Sequence, residues 1–262
     1  MSDASARVVR REPPRFRPVT VAAVAHRSPW LVRVTLTGPA LAGFAIPQPA
    51  SSVRVLLPVS GADTLEIPAW NGNEFRLADG ARPVIRTLTP RRHDPANDTL
   101  DVEVVRHREG AASAWAARAS EGAPAAVSGP GRGYTIDQEA PAYLVLGDES
   151  ALPAIEQLLE ALPPVPVAVH VEVAHPDARV ELPAHPTASV TWHDRPDGIA
   201  HGATLEAAAR TAEIGPGTRV WAAGEAASVQ RLRTHLFGER AVPRPHTWIR
   251  GYWKHGRAGG AD

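Results

Sequence analysis

The 262-residue sequence predicts an antiparallel β-barrel followed by an α/β domain with a parallel sheet. Three observations predict it. The first half holds short runs of β-branched and alternating residues, punctuated at close spacing by Pro and Gly. A Gly- and Pro-rich boundary, SGPGRGYTIDQEAP (128–141), then changes the pattern to strands alternating with helical segments. An apolar fraction of 44% supplies enough core for two units.

In chain order, strands are expected at 16–27, 30–38, 51–58, 83–90 and 99–107, with 68–83 as a long loop and a short helix at 112–119. Past the boundary, Tyr143–Leu146 is a short apolar run suited to a buried strand. A helix follows to Leu162, with Pro153 in its first turn, where a missing N–H does no harm. Strands at 165–173, 189–192, 219–222 and 247–253 alternate with helices at 204–212 and 226–237. In the last helix Val229, Leu232 and Leu236 share one face. The expected domains are 16–138 and 139–256, with 1–15 and 257–262 as flexible termini.

Twenty-eight basic and 28 acidic residues leave no net charge, which argues against a general nucleic-acid or acidic-membrane binder. The absence of cysteine excludes disulfides, thiol catalysis and Fe–S clusters, and suits a reducing compartment. The basic first residues lack the apolar stretch of a signal peptide, and no apolar run approaches bilayer length. A cytoplasmic monomer is the expectation. His170, His175, His185, His193 and His201 are scattered without a helical pair, so no metal site is expected. No G-x-S-x-G elbow marks a hydrolase.

The stretch YLVLGDESALPAI (143–155) poses a question. Strand, glycine, turn and helix open a nucleotide-binding crossover, yet Asp148 and Glu149 stand where phosphate-binding glycines belong. Two carboxylates would repel a pyrophosphate there.

Five stretches answer it by resemblance. RTLTPRR (86–92) resembles the Arg-x-aromatic-Thr/Ser flavin motif of the ferredoxin-reductase superfamily, and HREGAASAWAARA (107–119) its Gly-x-x-Ser pyrophosphate motif. LGDESALPAI (146–155), WAAGEAASVQRLRTHL (221–236) and GYWKHG (251–256) resemble, in order and spacing, the siderophore-interacting proteins. Similarity runs from about Phe16 to Gly256. It implies an FAD-containing, NAD(P)H-dependent ferric-siderophore reductase with an N-terminal flavin-binding barrel and a C-terminal nucleotide domain.

The resemblance implies FAD contacts at Arg86, Thr87, Leu88, Thr89, His107, Gly110, Ala111, Ala112 and Ser113. Arg86 suits a phosphate oxygen, and the N–H groups opening the helix of Trp115 suit a pyrophosphate. Two positions depart from the pattern: Leu88 replaces the usual aromatic and Ala111 the usual proline, which implies weaker flavin retention or a shifted potential. In this superfamily the loop after the first strand of the second domain faces nicotinamide rather than pyrophosphate. Asp148, Glu149, Ser150 and Ala151 can thus meet a carboxamide or ribose, or simply cap the helix and hold the domain interface. Gly224 and Glu225 repeat the pattern at a second strand end. Arg231 and Arg233 are candidates for the nucleotide phosphates, against a plain solvated helix face.

Lys254 is the sole lysine beside 27 arginines. With Arg132 and Arg257 it can form a basic wall for an anionic ferric chelate, or be retained by chance. Tyr252 and Trp253 cover the flavin or seal the sheet edge. Two other functions fit the same fold: a biosynthetic flavin enzyme acting on an organic substrate, and a non-enzymatic chelate-binding protein that has lost tight flavin.

Overall fold

The computed structural model describes residues 13–59, 64–107 and 110–256; the expected termini fall largely, and Arg257 wholly, outside them. The first half contains β1 (Arg17–Ser28), β2 (Leu31–Thr37), β3 (Val53–Leu57), β4 (Ala69–Trp70), β5 (Phe75–Arg76), β6 (Val84–Leu88), β7 (Pro90–Asp94), β8 (Thr99–Val105), α1 (Ala111–Arg118) and β9 (Pro124–Ser128). Seven strands form one antiparallel sheet in the order β6-β3-β9-β1-β2-β8-β7. Period-two alternation builds it: Val32, Val34 and Leu36 point into the core while Arg33 and Thr35 point away. The two outermost strands, β6 and β7, are separated in sequence by Thr89 alone. The sheet therefore curls until its edges approach each other at that residue.

Three elements differ from the sequence expectation. β9, a stretch for which no element is expected, lies between β3 and β1. Its alanine-rich sequence PAAVS carries little strand propensity, and burial between two neighbours decides its state. β7 is too polar to read as a strand. The expected loop 68–83 contains the β4–β5 hairpin, whose turn is closed by the Asn71 side chain accepting from the N–H groups of Asn73 (3.0 Å) and Glu74 (2.9 Å).

The second half contains β10 (Tyr143–Asp148), α2 (Leu152–Ala161), β11 (Val167–Val173), β12 (Ala188–Asp194), α3 (Ala203–Thr211), β13 (Arg219–Glu225), α4 (Ala226–Thr234) and β14 (Thr247–Trp253). All five strands run parallel, in the order β12-β11-β10-β13-β14. Both faces are apolar, as a helix-covered parallel sheet requires. Val145, Val169, Val171 and Trp221 pack toward α2, whereas Leu144, Leu146, Val220 and Ala222 pack toward α3 and α4. The strands end together, so Asp148, Val173, Glu225 and Trp253 share one edge.

Leu31, Ala50 and Tyr134 from the first half join the α2-side core. An ionic lattice reinforces this seam. Glu156 of α2, 1% exposed, pairs with both Arg27 of β1 and Arg91 of β7. Arg27 and Arg33 also share the buried Glu103 (3.1 and 2.6 Å), and Arg91 reaches Glu160 (2.5 Å). Between these ion pairs, Gln157 donates to the Pro90 carbonyl (2.7 Å) and accepts from the Ala50 N–H (2.9 Å). The pairing places α2 at a fixed position against the barrel.

Candidate functional site

Two arrangements face the region where the barrel meets the carboxyl edge of the parallel sheet. The first belongs to the barrel. Arg86 is half-buried on β6 and donates to the Ile85 carbonyl (2.8 Å). No carboxylate among the described residues pairs with it, and burial holds its guanidinium below the usual arginine pKa. Thr87 is exposed. Leu88, from this motif, and Ala112, from the second motif, pack from partly exposed positions on the same barrel core. Two segments more than twenty residues apart are thereby brought together.

The second motif is shaped locally. Gly110 has φ +117°, and a Cβ there would lie 2.7 Å from the His107 ring. The Ser113 hydroxyl accepts from the His107 N–H (3.0 Å) and donates to the His107 carbonyl (2.8 Å), closing the loop. Ser113 is thus a loop-closing residue. Gly110 gives that helix no side-chain cap, and no acid stands in its first turn.

The second arrangement lies on the parallel-sheet edge. Asp148 is 6% exposed, and its carboxylate accepts four hydrogen bonds. One oxygen takes the Ser150 N–H (2.9 Å) and hydroxyl (2.5 Å); the other takes the Glu225 N–H (3.0 Å) and the Trp253 indole N–H (2.8 Å). One carboxylate therefore ties the ends of β10, β13 and β14. Burial pushes its pKa up, against the pull of these donors. Gly224 permits the approach, since a Cβ there would stand 2.6 Å from an Asp148 oxygen.

Glu149 accepts from the Ala174 N–H. Burial, with the Asp148 charge adding to it, raises its pKa to about 7. Ser150 is half-buried and Ala151 fully buried. Glu225 caps α4 through the Ser228 N–H (2.9 Å) and accepts from the His255 N–H (3.3 Å). Despite burial, these donors hold it below the usual glutamate pKa.

Trp253 is anchored to Asp148, while the Tyr252 phenol lies beside the side chain of Thr89, the residue joining β6 to β7. Tyr252 thus spans the two halves at the RTLTPRR stretch. Burial raises its phenol pKa. Lys254 and Arg132 are both exposed. Arg231 and Arg233 are both engaged within the second half. Arg231 bonds Glu206 (3.0 Å) and the His201 carbonyl (2.6 Å), joining α4 to α3. Arg233 donates to the Ile249 carbonyl (2.5 Å), halfway along β14. Arg231 thus reaches the start of α3, beside the shared edge, whereas Arg233, about two turns into α4, points to the middle of β14.

The edge also contains residues that sequence reasoning missed. Glu172 of β11 caps α3 by accepting from the N–H groups of Gly202 (2.6 Å) and Thr204 (3.1 Å) and from the Thr204 hydroxyl (2.6 Å). His201 packs edge-on to Trp253 (4.7 Å) and lies 4.9 Å from His255. Burial, with the charges of Arg195 and His255, lowers its pKa. A glutamate ending a parallel strand was the available signal for Glu172; nothing local marked His201.

A curled antiparallel sheet followed by a parallel sheet of this order defines a two-domain fold of the ferredoxin-reductase type. Phthalate dioxygenase reductase shares it, with a TM-score of 0.61 at 15% identity over 94% of this chain and 70% of that one. The model of the siderophore-interacting FAD-binding domain matches residues 20–134, and that of the siderophore-interacting protein matches 140–256. The chain belongs to the siderophore-interacting protein family. It is 30% identical to the ferric vibriobactin reductase ViuB of Vibrio cholerae, over 87% of this chain and 85% of that protein. An uncharacterised protein of Mycobacterium bovis is 36% identical over 90% and 89%. The crystal structure of a siderophore utilization protein from T. fusca superimposes with a TM-score of 0.83 at 32% identity, over 95% and 97%.

Proposed function

We propose that the chain is an FAD-dependent reductase that takes electrons from NAD(P)H and delivers them to ferric iron held in a siderophore, releasing ferrous iron. The observation that carries this reading is Arg86: a half-buried guanidinium, without a carboxylate partner among the described residues, on a strand whose Leu88 packs on the same core as Ala112 of α1. A buried cation without a counterion is costly unless an anion completes it. The residues present therefore fit a flavin diphosphate. Arg86 and the first N–H groups of α1 would hold its phosphates, with Gly110 and His107 shaping the turn, and Thr87, Leu88 and Thr89 would line the ring. When bound, FAD supplies the change from two-electron to one-electron chemistry.

The protein's own part is positioning and charge. Ser150 and the near-neutral Glu149 lie at the edge where a nicotinamide carboxamide or ribose would sit, and Glu149 at pH 7 can both donate and accept. Asp148, its lone pairs already engaged, would hold that edge in shape. Tyr252 and Trp253, beside Thr89 and bonded to Asp148 respectively, would exclude water from the flavin side of the cleft. Lys254 and Arg132 would attract an anionic chelate, with Arg257, which lies outside the described residues, beyond them. Arg231 and Arg233 have partners of their own, so the nucleotide phosphates would rely on backbone N–H groups at the strand ends.

The test is a titration of purified protein with FAD, followed by absorbance and flavin fluorescence. Wild type should bind, and Arg86→Ala should weaken binding by roughly tenfold or more, since a charge-assisted contact contributes about 1.5–3 kcal/mol. In rapid-mixing assays Lys254→Ala should slow reduction of an anionic ferric chelate but not of a neutral acceptor, the difference shrinking with salt. A colourless protein that leaves FAD fluorescence unchanged would instead support a chelate-binding protein.

A further inference from the structure

The open edge of the parallel sheet carries a second cationic feature, away from the carboxyl ends of the strands. Arg233, Arg244 and Arg250 converge with Phe237 and Trp248 on a cleft of about 230 Å³ beside the first half of β14. No acidic residue lines it, and among the described residues none of the three arginines forms an ion pair. Their orientations are set by other contacts. Arg244 lies over the Phe237 ring at 4.6 Å, Arg250 over the Trp248 ring at 5.5 Å, and Arg233 is fixed on the Ile249 carbonyl. Protection of an exposed strand edge needs only charge. Holding guanidiniums against aromatic rings goes further, because it reduces the freedom that each would lose on binding and leaves its N–H donors available.

We propose that this cleft is a binding site for a compact oxyanion of two or more charges, such as phosphate or a small polycarboxylate. Size narrows the class, since the volume lies below the roughly 300–1,000 Å³ of ordinary ligand pockets. Chemistry narrows it again: guanidinium forks match carboxylate and phosphate oxygens in pairs, whereas chloride gains nothing from a fork. The site has a built-in reporter. Trp248 stacks on the fully buried Trp221 at 5.2 Å with rings 5° from parallel, and Trp221 meets Tyr252 edge-on at 6.4 Å. An anion drawing Arg250 away from Trp248 would change the emission of that stack. The site requires no flavin and does not depend on the reductase reading.

The experiment titrates the purified protein with phosphate, citrate and chloride at matched ionic strength, reading tryptophan fluorescence and heat. Phosphate or citrate should give a saturable response that chloride does not. Arg244→Gln and Arg250→Gln should each weaken it about tenfold, the loss of one charge-assisted bidentate contact. Arg54→Gln, at an exposed arginine on the barrel strand β3, should leave it unchanged. Equal responses to all three salts, no saturable response, or unaltered affinity in the arginine variants would overturn the proposal. Binding to phosphatidylserine vesicles without binding to free anions would overturn it as well, in favour of a lipid-headgroup surface.

Discussion

Glu149→Gln isolates the electrostatics of the sheet edge in a single substitution. The Glu149 carboxyl has a pKa of about 7 in the folded chain against 4.5 as the reference, chiefly because burial disfavours its charge. Between those values the folded state binds a proton that the unfolded state has released. Stability therefore falls as pH rises from about 4.5 through 7, and the penalty is fully present above 7. The whole difference corresponds to about 3 kcal/mol, trimmed to about 2–3 by the residue's partial exposure. Glutamine keeps an acceptor for the Ala174 N–H and carries no charge. The variant should match wild type at pH 4.5 and exceed it by about 2–3 kcal/mol at pH 8. In thermal unfolding that is roughly 4–12 °C, at about 2–4 °C per kcal/mol for a chain of this size. Urea unfolding at both pH values is the direct assay. A difference of equal size at the two pH values would refute the reasoning, and so would a loss of stability at pH 8.

Three further substitutions test the neighbouring structure. Gly224→Ala places a Cβ 2.6 Å from an Asp148 oxygen that two donors already hold, and should lower stability by about 1–3 kcal/mol, seen as a shifted urea midpoint. Glu156→Ala leaves Arg27 and Arg91 without their shared counterion at the seam and should cost about 3–5 kcal/mol; calorimetry should show less loss for Glu156→Gln. Leu88→Tyr should tighten FAD binding by about 0.5–1.5 kcal/mol if the side chain lies against the ring, and an unchanged dissociation constant would place it elsewhere.

The two-part architecture was legible because each half has its own period. Alternating Val and Leu in β2, and continuous apolar runs in β10, report burial on one face and on two. β9 escaped notice because PAAVS has no period to detect; it is a strand through its neighbours. The motifs named candidate residues but not their wiring. Asp148 reads in sequence as a helix cap or cofactor contact, and only the fold brings Glu225 and Trp253, some 77 and 105 positions away, onto the same carboxylate. Thr89 and Tyr252 likewise meet through tertiary structure alone. Arg231 and Arg233 were read from proximity to AGEA, and the fold gives each a protein partner, Glu206 and the Ile249 carbonyl, that the sequence does not show.

The charged seam between α2 and the barrel restricts how this chain can be recombined. Its two sheets each close a core, which suggests parts that can be exchanged. Glu156, however, lies almost wholly out of solvent with both of its cations in the other half. A chimera that joins this second half to a foreign barrel lacking guanidiniums at the positions of Arg27 and Arg91 would leave a bare carboxylate in the interior. The resulting penalty of several kcal/mol rivals the stability of a whole domain. Shuffling of halves within this fold is then permitted only between chains that match at three side chains, whatever the likeness of their sheets.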